Sequence, residues 1–222
     1  ADWTIPVERA SARLAQGCDR EMFAAAHASP ATLTVFRWPD AQAPTTASVD
    51  VDPWLAEAVR WRSAAPASSG RDWLARLGRF GSADITAAWH RRSESGVEVG
   101  FAWNVSADDT HPQPHVRAVV LDASLSRTRQ PHLWSPDVAF AYPAAGVDRQ
   151  GRLGFVVAFG GGVHAPGVAV GTERTAGPSA APPWDLVAAV EGTDSPSSGD
   201  WGDFLVVRSV GEVDGQGSFA TV

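Results

Sequence analysis

Phe23-Ala24-Ala25-Ala26-His27, Thr86-Ala87-Ala88-Trp89-His90, Ala144-Ala145-Gly146-Val147-Asp148 and Phe204-Leu205-Val206-Val207-Arg208 share one pattern. Small and apolar residues run on and stop at a polar or charged one. The ends fall at 27, 90, 148 and 208, a recurrence of about 60 residues. A second strand-like segment follows each: 32–38, 97–104, 152–159 and 217–222. The intervening Ala28-Ser29-Pro30, Arg92-Ser93-Glu94-Ser95-Gly96 and Arg149-Gln150-Gly151 are turn sequences. Third segments follow at 45–52, 115–122 and 167–174, and fourth segments at 129–134 and 184–191. In the first unit the fourth segment is blurred. There 54–61 and 71–80 read as helical, because Trp73, Leu74 and Leu77 share a helix face.

Four strands per unit at near-constant spacing predict an all-β fold, a β-propeller with four-stranded antiparallel blades. A β-sandwich also needs many short strands but supplies no reason for the period. The units run over 19–80, 81–138, 139–198 and 199–222, three complete blades and part of a fourth. Asp2-Trp3-Thr4-Ile5 reads as the closing strand of an earlier blade. An open arc leaves two unpaired edges, which proteins avoid. The expectation is therefore a segment of a longer propeller, with a self-closing four-bladed ring as the alternative.

Composition agrees with a turn-rich globular chain. Gly 21 and Pro 16 together exceed the usual share, and 44% of the 222 residues are hydrophobic. All 18 basic residues are Arg; the chain has no Lys, which fits the codon bias of a GC-rich genome. The net charge of −7 opposes sequence-independent nucleic-acid binding. No apolar run reaches the length of a membrane span. The single Cys18 excludes an internal disulfide and a Cys-rich zinc site. The ten Trp are spread through every unit, as packing between blades requires.

Tyr142-Pro143-Ala144-Ala145-Gly146-Val147-Asp148-Arg149-Gln150-Gly151, followed by Leu153-Gly154-Phe155, resembles the inner strands of secreted bacterial sialidase-like β-propellers. Gly199-Asp200-Trp201-Gly202-Asp203-Phe204 is similar to the Trp-Gly-Asp-Tyr element that opens a blade in that family. The resemblance covers most of 80–210. It implies an extracytoplasmic protein with ligands held on the channel face. The family's Asp-box, Ser-x-Asp-x-Gly-x-Thr-Trp, does not occur, and Tyr142 is the only Tyr. A non-catalytic or partial member is the expectation.

On that face the candidate ligand-binding residues are Trp201, Tyr142, His164 and Asp84. Asp200 and Asp203 flank Trp201. They are the carboxylate pair that glycoside hydrolysis would use, provided the chain turns at Gly202. The alternative is that Asp203 caps a loop. Asp108-Asp109-Thr110-His111-Pro112-Gln113-Pro114-His115 is the densest polar cluster. Asp108, Asp109, His111 and His115 could bind a divalent ion, but two prolines make the loop extended and favour a solvated segment. No metal or other cofactor is therefore assigned. His27, His90, Asp148 and Arg208 occupy matching ends and could ring the channel. Gly160-Gly161-Gly162 lacks a following Lys-Ser/Thr and reads as a strand connection, not a phosphate loop. The functional expectation is a glycan- or protein-binding propeller. The alternatives are a sialidase-like glycoside hydrolase and a structural segment of a larger surface protein. No nucleic-acid partner and no membrane insertion are expected.

Overall fold

The computed structural model describes residues 13–15, 20–54, 63, 71–75, 77, 84–93, 96–174, 184–199, 201–202, 205–213 and 216–221. Asp2-Trp3-Thr4-Ile5, Cys18, Asp200 and Asp203 lie outside them. The described chain is all-β and antiparallel. The first sheet runs β1 (Arg13–Leu14), β2 (Glu21–Ser29), β3 (Thr32–Pro39) and β4 (Thr45–Asp50) in chain order. The second holds β5 (Ile85–Ser93), β6 (Gly96–Val105), β7 (His115–Leu121) and β8 (Arg127–Arg129), with β9 (His132–Leu133) also on β7. The third holds β10 (Ala139–Val147), β11 (Leu153–Gly161), β12 (His164–Glu173) and β13 (Trp184–Glu191). A final hairpin joins β14 (Val207–Val213) to β15 (Gln216–Thr221).

Each sheet is a meander of antiparallel sequence neighbours, with β9 as the exception. Glycine supplies one of the two-residue turns. Gly161 faces His164 across Gly162-Val163, and Gly161 and Gly162 both take positive φ. The triple glycine is thus a hairpin connection. The expected fourth strand at 129–134 is broken into β8 and β9. Pro131 has no N–H for the ladder, although its carbonyl still accepts from the Ala118 N–H at 2.9 Å.

The second sheet is covered on both faces. Val99, Phe101, Trp103, Val119 and Leu121 pack with Phe23, Leu33, Val35 and Val49 of the first sheet. Trp89, Ala102, Val116, Ala118 and Val120 pack with Leu153, Phe155, Val157 and Trp184 of the third. All seven residues of β7 are buried as a result. The first strands of successive sheets also touch: β2 meets β5, β5 meets β10, and β10 meets β14.

A four-membered ion network ties the second sheet to the third. Arg91 on β5 binds Glu98 on β6 and Glu173 on β12, each at 2.5 Å. Arg129 on β8 binds Glu173 and lies 3.5 Å from Glu98. Two guanidinium groups and two carboxylates cancel, which makes burial tolerable. Trp89 is paired in register with Gly100, and its indole lies across the space that a β-carbon there would fill.

Two stability outcomes follow from this packing. Gly100→Ala drives a methyl group into the Trp89 ring and should cost about 1–3 kcal/mol. Glu173→Gln leaves Arg91 and Arg129 short of a buried negative charge and should cost about 3 kcal/mol. Urea unfolding of both variants checks them; unchanged midpoints would place neither contact in the folded core.

Candidate functional site

The second sheet brings three histidines together. Strand alternation puts His115 and Arg117 on one face of β7. In the β7–β9 register His132 sits opposite Arg117, which puts it on that same face and diagonal to His115. His111 comes from the loop between β6 and β7. One ligand nitrogen of each of His111, His115 and His132 lies within 4.8 Å of the others.

Asp108 folds the loop so that His111 reaches this point. Its Oδ1 accepts from the backbone N–H of Thr110 at 2.9 Å and of His111 at 2.7 Å. The Asp108 N–H returns a bond to the His111 carbonyl at 2.9 Å. Such Asx closure is why an Asp stands at the loop's start. The same carboxylate meets His111 Nδ1 at 2.9 Å. The loop is therefore closed on itself and not simply solvated. Its prolines help: Phe140 of β10 donates its N–H to the Pro114 carbonyl at 2.9 Å. Asp109 is exposed and is not one of the converging groups.

The hydrogen bonds assign the donating ring nitrogens. His111 donates from Nδ1 to Asp108, because an ionised carboxylate can only accept. Its Nε2 lies 3.3 Å from His132 Nδ1. His115 Nδ1 donates to the Gln113 carbonyl at 3.3 Å, and its buried Nε2 has no protein partner. The rings pack together, with centroids 4.3 Å apart for His111 and His115 and 5.0 Å for His111 and His132. Trp134, 46% exposed, stands edge-on to His111 at 5.1 Å.

Arg117 closes the site from below. It donates to the carbonyls of Asp52 and Pro53 at 3.1 and 2.8 Å and reaches Asp108 at 3.4 Å. Burial holds His115 down to about 3, helped by the charges of His111, His132 and Arg117. Burial likewise holds His132 down to about 4, helped by Arg117 and His111. Both rings are neutral at physiological pH, the form in which imidazole binds metals. Burial pushes the Asp108 carboxyl upward, but the His111 and Thr110 backbone bonds and the His111 ring outweigh it, so it stays ionised.

The other sequence candidates are dispersed. Trp201 is half-buried against Trp73, Leu74, Tyr142 and Ala158, not standing free at an entrance. Gly202 explains this. Its positive φ brings the backbone so close to Ala158 and Tyr142 that a β-carbon would fall 2.9 Å from each. Tyr142 is buried, with its N–H on Asn104 Oδ1 at 2.7 Å. His164 is exposed and pairs with Glu191 at 2.9 Å. Asp84 is half-buried just before β5. The residues at the matching strand ends have local partners. His27 lies edge-on to Trp54 and Trp103, His90 stacks on Phe23, and Asp148 closes its own turn through Gln150 and Arg152. His132 is the functional residue that sequence reasoning missed. Its only signal was its place in a broken fourth strand beside β7.

Comparison with known proteins finds no matching family model, no matching characterised protein and no matching solved structure. Among the described residues no helix is long and apolar enough to cross a membrane.

His27 gives the molecule an acid-sensitive point. Burial pushes its pKa down to about 4, against a weaker opposing pull from the Ser29 backbone. In the unfolded chain it titrates near 6.5. Between those values the unfolded state binds more protons, so stability rises with pH across the window. The contribution is complete above 6.5 and lost below 4. His27→Leu should flatten the slope of unfolding free energy by roughly 1.4 kcal/mol per pH unit within that window. Chemical denaturation at several pH values reads the slope, and an unchanged slope would remove His27 from the buried set.

Proposed function

We propose that this chain is a β-propeller-type binding module, extracytoplasmic as the sialidase-like resemblance implies. Its recognition surface is the histidine corner of the second sheet. The blade reading is supported by the successive four-stranded meanders and by the contacts between their first strands. The observation that carries the binding reading is Trp134. Of the eight Trp among the described residues, it is the one classed as a large exposed hydrophobic. It stands edge-on to His111, with His132 two residues before it in the chain; imidazoles are polar groups of the kind that orient a sugar while an indole face stacks on it. The ligand class is a glycan.

Hydrolysis is the weaker reading. Asp108, the carboxylate at this corner, is ionised and already accepts from two backbone N–H groups and the His111 ring. A general acid needs a carboxyl that keeps its proton. Asp200 and Asp203 lie outside the described residues.

Probing a glycan array with labelled protein tests the reading. Trp134→Ala should abolish the bound signal and leave Tm within a few degrees. Trp201→Ala should instead lower Tm by several degrees, because it removes packing from Tyr142 and Trp73. A parent protein that retains no glycan, or a Trp134→Ala protein that binds like the parent, would overturn it.

A further inference from the structure

We propose that His111, His115 and His132 form a binding site for one divalent transition ion of the zinc, nickel or copper class. The proposal goes beyond glycan recognition and does not depend on it. The donor set is three imidazoles and no thiolate. Nitrogen donors favour borderline ions, whereas calcium and magnesium prefer oxygen.

Geometry supports the assignment. A tetrahedral ion with metal–nitrogen bonds of about 2.0–2.1 Å holds its ligand nitrogens about 3.3–3.4 Å apart. His111 Nε2 and His132 Nδ1 already stand at 3.3 Å. One nitrogen of each of the three rings lies within 4.8 Å of the others, so a ring movement of about 1–1.5 Å brings the set to metal-ligand spacing.

The surroundings are those of a ligand site. His111 is held through its other nitrogen by Asp108, the carboxylate–histidine arrangement that orients a metal-binding imidazole and raises its basicity. His115 is held through Nδ1 by the Gln113 carbonyl, which keeps the lone pair on Nε2. That Nε2 is buried without a protein partner, and so are Gln113 Oε1 and Arg117 Nε close by. A buried polar atom left unpaired costs free energy, and an ion at this point satisfies the His115 lone pair directly. Each ring binds an ion through an unprotonated nitrogen.

Electrostatics further define the ion. Asp108 and Arg117 cancel, so no protein carboxylate offsets the ion's double charge in the ligand shell. Strong bonding to nitrogen must supply the affinity, which disfavours manganese relative to copper, nickel and zinc. Three protein ligands leave a fourth position for water or an anionic group of a ligand, as in open zinc sites.

Titration of the whole chain, free of any polyhistidine tag, with cobalt(II) and zinc(II) tests the proposal. The visible absorption of cobalt reports low-symmetry nitrogen ligation, and calorimetry with zinc gives stoichiometry. One ion per chain is expected, and zinc should raise Tm until a chelator reverses the effect. His111→Gln and His132→Gln should each weaken binding by at least about 100-fold. Asp108→Asn should weaken it about 10–100-fold. His164→Gln, on a distant hairpin, should bind as the parent does. Circular dichroism establishes that each variant is folded. Failure of the parent to bind either ion, or undiminished binding by folded His132→Gln protein, would overturn the site. Glycan binding is read separately, with chelator present, so loss of one reading leaves the other standing.

Discussion

Strand β7 has no solvent face, and that constraint shapes the rest of this half of the molecule. Its seven residues are buried between two neighbouring sheets, yet two of them are His115 and Arg117. A guanidinium that water cannot reach must find acceptors inside the protein. Arg117 finds them in the carbonyls of Asp52 and Pro53 and in the Asp108 carboxylate. The first two fix the chain where it leaves the first sheet. The third fixes the β6–β7 loop. The position of His111 is therefore a consequence of how a buried charge is satisfied, and the three-histidine corner follows from it.

The same logic recurs where the second and third sheets meet. Arg91, Glu98, Glu173 and Arg129 come from four strands and leave almost no charge uncompensated. Arginine suits such a junction. Its planar fork can bond two carboxylates at once, which a lysine ammonium does less specifically. The all-arginine composition thus coincides with cross-sheet contacts that need a forked donor.

Most strands were legible because turn residues bracket them. Trp184–Glu191 matches its expected bounds at both ends, and the expected 32–38, 97–104 and 152–159 fall within a residue or two of β3, β6 and β11. The fourth strand of the second unit was misjudged as continuous, since the apolar pattern runs through Pro131 while the ladder cannot. In the first unit, Trp73, Leu74 and Leu77 lie in one buried cluster, but Trp73 and Leu74 sit in a turn ahead of the helical residues Ala75 and Leu77. The site was harder to read. The pairing of His111 with His115 is visible as composition, but their meeting with His132 depends on a register that joins residues about fifteen positions apart. By sequence Trp201 reads as a ligand-binding residue on the channel face, at the entrance of a blade. Nothing local reveals that Gly202 lets the chain close onto Tyr142.

The meander has a kinetic side. Apart from β9, which returns to β7, each strand in these sheets pairs with its neighbour in the chain, so the sheets form by local loop closures. Docking one sheet on the next is the long-range step. During synthesis the first two sheets can therefore assemble in order and bury Phe101 and Trp103. The opposite side of the second sheet, with Trp89 at its centre, stays wet until Phe155 and Trp184 emerge. A chain halted between those points carries a broad apolar surface with no cover, which is where a nascent chain most needs a chaperone.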